Sequence, residues 1–356
     1  MTKDLADLFP AGLSWPIRRA LQFPVLKTGH LFFLFLLLSS FVLHARDYSF
    51  YYRQTALAEE NLRNGRLTDA LKHYDSAFAR YDFKYAKDCY IAAQIAAYEE
   101  NNEKTFWYVT YAIRAGVKYQ CLQNNSLFKK FWESEYAGTV QREKDSNRSA
   151  YLKRIDLEKC KEWSKRFEEE QAVKGKGEVY YQKVADNVAA IEKLLRRGIF
   201  PGERLIGVDN SIAAAKIHVF RPEDTCAYAT SRATPTLKHY KYSYEVFRSQ
   251  LIEAMLGGYL HPYELLDIFI FNKNKVSRVE LPKEYKKELS LDTSKENGLY
   301  FQRAFERGHS DSLTVLKNRF DWYIPRPGKY EAEDLRQRYG IDIEIGSWID
   351  WWKSRQ

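Results

Sequence analysis

The sequence predicts a mainly α protein, a short array of helical hairpins followed by an α-helical domain with little or no β structure. Three observations carry this expectation. From Leu67 the apolar residues fall at Leu67, Ala70, Leu71, Tyr74, Ala77 and Phe78, offsets 0, 3, 4, 7, 10 and 11, which is one face of an α-helix. The apolar pattern then recurs, with Ala77-Phe78 and Ala112-Ile113 35 residues apart, a period of helix-turn-helix repeats. Farther along, Val184, Val188, Ile191 and Leu195, at offsets 0, 4, 7 and 11, mark another helical face that ends at Gly198.

The 356 residues are 45% hydrophobic and 29% charged, ordinary globular usage that excludes a collagen-like or disordered chain. Aromatics are abundant, at 26 Tyr, 21 Phe and 8 Trp. Near the start, Leu31–Leu43 is an uncharged run of 13 residues behind Lys27. A membrane-spanning helix needs about 20 apolar residues, so this length suits the core of a secretory signal, with cleavage after the small Ala45. An uncleaved anchor is the alternative reading, and a buried helix is the third. The segment before Lys27 carries Pro10, Pro16 and Pro24 with Asp4 and Asp7, which is unusual for a leader and suggests a functional start near Leu26. Loss of residues 1–45 removes Lys3, Arg18, Arg19 and Lys27 with Asp4 and Asp7, and takes the net charge from +9 to +7. All 26 Tyr lie beyond that leader. The four Cys, at 89, 121, 160 and 226, form no CxxC pair, so a zinc ribbon or a thioredoxin-type motif is excluded. In an exported chain they could pair in three ways; burial as small apolar residues is the simpler expectation.

The helices follow in order. YYRQTALAEENLR (51–63) precedes the Asn64-Gly65 turn and is the expected partner of the helix from Leu67. An Ala-rich helix runs from Ala86 to Tyr98 and is broken by Asn101-Asn102. Phe106, Val109, Ala112 and Ile113 then form the next face, closed by Gly116. Residues 137–176 mix opposite charges and read as a linker followed by a long exposed helix, ended by Gly175 and Gly177. The Gly-Lys-Gly there lacks the spacing and the Ser/Thr of a phosphate loop. A helix from about Tyr244 stops at Gly257-Gly258, and Pro262 starts another. Beyond residue 275 the chain turns polar and loop-like, with helical pieces around 298–308 and 331–340, a short strand at IDIEIG, and Trp348, Trp351 and Trp352 on one face of a terminal helix. That face reads as a docking surface within the fold, or as an exposed patch for a partner or a membrane interface. The expected boundaries are therefore 1–45, 46–136, 137–176, 177–275 and 276–356.

The stretch from Gly65 to Ala77, with small residues at Ala70 and Ala77 and an aromatic at Tyr74, resembles the second helix of a tetratricopeptide repeat. Asp88–Ala93, Phe106–Val109 and Ala112–Gly116 resemble the closing repeat of secreted bacterial proteins of that kind, continued by Leu122, Leu127 and Phe131. The Trp-Leu-Gly signature is missing from the first helix, and Thr105 stands where a small Ala is usual. About two repeats fit within 48–135, too few for a free-standing solenoid, so the rest of the chain must cap them. The resemblance implies a protein-interaction scaffold rather than an activity. Asp186-Asn187, Pro201-Gly202-Glu203, Ile206-Gly207, His239 and Gly258-x-x-His261-Pro262 resemble a domain of unassigned function that often follows such repeats. That likeness covers about 157–275 and implies layout only.

Candidate chemistry is sparse. Seven His occur, none in HExxH. His261, Glu264 and Asp267 stand at i, i+3 and i+6 and do not share one tight helical face, so no metal site is expected and His261 reads as a helix-start residue. His239 is the better candidate, because Glu203 or Asp209 from the preceding loop could fix its tautomer and raise its basicity. No GxSxG or neighbouring Cys supplies a nucleophile. Tyr240, Tyr242 and Tyr244 alternate with Lys238 and Lys241, a pattern that can stack bases but reads better here as packed Tyr with solvated Lys. No dinucleotide, EF-hand or haem motif is present, so no cofactor is expected. The expectation is an exported, non-catalytic scaffold, periplasmic or secreted, that binds a protein or peptide with Tyr74, Tyr90, Phe106, Trp107 and Tyr108 near its binding face. It binds no nucleic acid, and meets a membrane only through an uncleaved leader. The rival readings are a hydrolase centred on His239 and the 200–210 loop, and a structural part of an envelope assembly.

Overall fold

The structure, a computed structural model, describes residues 47–208, 233–241, 243–273, 279–280 and 329–341. All described helices belong to one unit, Tyr48–Gln356. The leader, Asp209, the helix expected at 298–308, most of IDIEIG and the Trp348–Trp352 segment lie outside the described residues.

The described part is mainly α. No strand occurs among the described residues, and an isolated parallel bridge joins Tyr240 to Val279. Helices α1 (Ser49–Arg63) and α2 (Leu67–Arg80) form the first hairpin, turned at Gly65, whose φ of +72° favours a residue without Cβ. The face counted from Leu67 is buried in full: Leu67, Ala70, Leu71, Tyr74, Ala77 and Phe78. Helices α3 (Ala86–Tyr98) and α4 (Asn102–Ala115) form the second hairpin. The side chain of Asn101 accepts from Lys104 N at 3.0 Å to cap α4, and Gly116 ends it in the left-handed region. Helix α3 is buried nearly all round, so its Ala-rich composition lets neighbours approach on every side. A short helix α5 (Tyr119–Asn124) and a 3-10 turn at Ser126–Phe128 lead into α6 (Lys129–Trp132).

The charged stretch departs from expectation. Two helices, α7 (Glu135–Arg154) and α8 (Leu157–Ala172), stand where a linker and one helix were expected. Helix α7 buries only Val140, Asn147 and Tyr151, a stripe too narrow to show in a highly charged sequence. It packs along α4. Asp156 caps α8 by accepting from Lys159 N at 2.9 Å. Helix α9 (Glu178–Leu195) lies against α8 and buries Val184, Val188, Ile191 and Leu195 as counted. A short turn of helix, α10 (Glu203–Ile206), is followed by α11 (Ala233–His239), α12 (Ser243–Leu256) and α13 (Pro262–Lys273). Helix α12 departs from helical backbone at Phe247.

One hydrophobic core runs through this unit, from Tyr48 to Ile341. Helix α14 (Lys329–Tyr339) closes back on the front hairpins, where Tyr339 meets Tyr98 edge-on at 5.3 Å between centroids. Of the cysteines, Cys89 and Cys160 are buried thiols outside any disulfide, whereas Cys121 is disulfide-bonded. No described helix is long and apolar enough to cross a membrane.

Candidate functional site

The densest polar chemistry among the described residues lies where the loop before α10 meets the start of α3. Pro201-Gly202 brings the chain so close to Tyr259 that a Cβ on Gly202 would sit 2.0 Å from the Tyr259 carbonyl oxygen. Glu203 thereby reaches the opening of α3, where its Oε1 accepts from Ala86 N at 2.5 Å. A helix start leaves such N–H groups unpaired and carries partial positive charge, so a carboxyl group suits it. Arg204 lies over Tyr48, Phe83 and Tyr259, at 5.3, 5.7 and 4.9 Å from their centroids.

Tyrosines from α1 complete the junction. Tyr51 donates to Asp88 Oδ2 at 2.9 Å, and its oxygen accepts from Tyr85 N at 3.1 Å. The Tyr52 and Tyr85 hydroxyls lie 2.9 Å apart; Tyr52 donates to Met255 O at 2.9 Å and Tyr85 to Gly258 O at 3.1 Å. His261 packs its ring against Tyr85 at 4.7 Å, and its Nδ1 accepts from Tyr263 N at 3.2 Å, the helix-start role expected of it. Beside them Glu59 pairs with Lys87 at 2.8 Å and accepts from the Tyr263 hydroxyl at 2.5 Å.

Burial dominates the electrostatics. It pushes Asp88 up to about 7, against the lowering pull of Lys87. It pushes Glu203 up to about 8, against the Ala86 N–H and the Arg154 charge. The Tyr51, Tyr52 and Tyr85 phenols are raised for the same reason. Glu59 goes the other way: burial would raise it, but the Lys87 ammonium and the Tyr263 hydroxyl outweigh that and hold it low. Two proton-bearing carboxyls near neutral pH are the raw material of acid–base chemistry. Here both are also packing groups, since Asp88 is 1% exposed and Glu203 caps a helix.

The sequence candidates are dispersed. Glu203 turns to α3 and makes no hydrogen bond with His239 among the described residues. His239 is half-buried at the end of α11, where its carbonyl accepts from Val279 N at 3.0 Å. No group of three or more His, Cys, Asp or Glu able to hold a metal occurs among the described residues. Tyr74, Tyr90 and Tyr108 are core residues, 0, 5 and 2% exposed. Phe106 is half-buried, and Trp107 is 49% exposed. Phe106 contacts Trp107 at 5.2 Å and Tyr136 of α7 at 5.7 Å between centroids.

Asp88, Tyr51, Tyr52 and Tyr85 are the residues that motif reading overlooks. The available signal is the one acidic residue of a mostly apolar segment, Ala86–Ala97, and a Tyr doublet whose partners are distant in sequence. The Pro201-Gly202-Glu203 and Gly258-x-x-His261 segments, far apart in the chain, meet at this junction. No family model, no curated protein and no solved structure matches the chain.

Proposed function

We propose that this chain is an exported, non-catalytic scaffold that binds a protein or peptide segment at the aromatic face shared by α4 and α7, in the manner of the tetratricopeptide-like proteins its front half resembles. The carrying observation is Trp107, which leaves 49% of its surface exposed beside Phe106 and Tyr136. A half-exposed Trp flanked by aromatics is the residue type that anchors protein contacts. A polar rim adjoins it, because Asp75 of α2 holds Lys104 at 2.5 Å and accepts from the Tyr108 hydroxyl. The resemblance supports interaction and export, and with export a location in the periplasm or outside the cell. The hydrolase reading is weaker, because the Glu203 carboxyl accepts from Ala86 N and makes no hydrogen bond with His239 among the described residues.

A photoreactive amino acid at position 107 in cells that make the protein provides the test. A discrete crosslinked partner is expected from position 107 and none from position 181, where Tyr181 is 39% exposed on α9. Equal labelling from both positions, or none from 107, refutes the binding face.

A further inference from the structure

Helices α8 and α9 enclose a cleft of about 300 Å³ whose chemistry differs from the rest of their surface. Its apolar lining is Trp163, Ala190 and Leu194. One wall carries Lys159, Glu162 and Arg166. Glu162 Oε2 accepts from Lys159 Nζ at 2.5 Å, and its Oε1 accepts from Arg166 Nε at 3.1 Å, so its charge is matched twice over. Arg166 also lies 5.6 Å from the Trp163 ring centroid. The opposite wall carries Lys193, in the last turn of α9, and Arg197, two residues past the helix end.

Those two cations are unmatched. Elsewhere on these helices Lys161 pairs with Glu158, Lys165 and Lys183 with Glu169, and Arg196 with Glu192. Among the described residues the side chains of Lys193 and Arg197 have no ion pair or hydrogen bond. A second observation is independent of charge: Trp163 is 2% exposed, and its indole N–H has no hydrogen-bond partner among the described residues. Buried polar groups are normally paired, and an exception calls for a reason.

We propose that this cleft binds a small organic phosphate monoester, with the phosphate shared by Lys193 and Arg197 and the organic part against Trp163 and Leu194. Both side chains line the same cleft, so one dianionic group lodged there can engage both. The planar guanidinium fork of arginine matches phosphate oxygens two at a time, and lysine adds a point charge. A carboxylate carries one charge and would leave one of the two cations unmatched. The volume is at the lower end for ligand pockets, which limits the organic part to about the size of one ring.

Phenyl phosphate is the probe, titrated calorimetrically into the full chain at low salt, with the indole ¹⁵N–¹H signal of Trp163 assigned through Trp163→Phe. Saturable binding at one site that shifts this signal is expected. The Lys193→Gln/Arg197→Gln double variant is expected to weaken it by about tenfold or more, as loss of charge-assisted contacts should. Lys161→Gln, exposed and outside the cleft, is expected to leave binding unchanged. Absence of saturable binding, an unmoved Trp163 signal, or equal weakening by Lys161→Gln overturns the site. Benzoate binding as tightly as phenyl phosphate overturns the assignment to phosphate.

Discussion

Gly202→Ala is expected to destabilise the fold by about 3 kcal/mol, at the upper end for overpacking. The backbone dihedrals at Gly202 are ordinary extended ones, so the reason is space and not conformation. A Cβ there would stand 2.0 Å from Tyr259 O and 3.2 Å from Tyr259 C. These are backbone atoms, and the Tyr259 amide is itself tied to Ala254 O at 2.9 Å at the end of α12. The loop must therefore move, and Glu203 moves with it, away from Ala86 N. The same change in open helix has the opposite sign. Gly138 lies within α7, where an added methyl would meet nothing closer than 3.5 Å, so Gly138→Ala is expected to stabilise by roughly 0.5–1 kcal/mol through helix propensity. Urea unfolding of the two variants beside wild type measures both. A Gly202→Ala protein as stable as wild type would contradict the close approach of the loop to Tyr259.

Stability is expected to fall as pH rises from about 4 to 8. In the unfolded chain Asp and Glu lose their protons near pH 4. In the fold burial holds Asp88 protonated up to about 7 and Glu203 up to about 8, and it raises Glu170 as well. Below pH 4 both states carry these protons. Above it the unfolded state releases them first, so stability declines until the folded carboxyls have ionised too. Asp88, 1% exposed, contributes on the order of 4 kcal/mol to that decline, since it gains about three tenfold steps in proton affinity, each worth about 1.4 kcal/mol. Glu203 keeps an edge open to solvent and contributes less. Glu59, held low by Lys87 and Tyr263, acts on the acid side, where its stabilisation is lost as pH falls through its folded value. The optimum therefore lies on the mildly acidic side of neutral. Asp88→Asn keeps an oxygen for the Tyr51 hydroxyl and has nothing to ionise. Thermal melts at pH 5 and 8.5 should show the variant losing much less stability than wild type between the two, and equal losses would place the titration elsewhere.

Much of the helical layout is legible because local periodicity carries it. The face from Leu67 to Phe78, the Ala86–Tyr98 helix, the cap at Gly116 and the Val184–Leu195 face appear where the spacing of apolar residues places them, since each records one side of a helix turned towards a core. The stretch from 135 to 154 does not show itself, because a helix that buries three residues in 20 leaves almost no periodic trace.

Residue chemistry is less legible than layout. Five aromatics fall near the expected binding face, and sequence alone does not separate Trp107 from Tyr74, Tyr90 and Tyr108. All sit on helices of the two hairpins, and burial depends on which neighbour covers each face. Glu203 reads in the sequence as a carboxylate for His239. The fold turns it instead to Ala86, 117 positions earlier in the chain.

By itself, the sequence determined that the chain is helical, where most helices begin and end, and that glycine is needed at its tightest turns. These follow from backbone conformation and from periodicities of a few residues. Only the tertiary structure decided that the Pro201-Gly202-Glu203 loop meets the tyrosines of α1, that Asp88 and Glu203 keep their protons near neutral pH, and that Lys193 and Arg197 line a cleft without an ion-pair partner of their own among the described residues. Each depends on which distant groups exclude water from a side chain or supply it with a partner, and local spacing does not encode that.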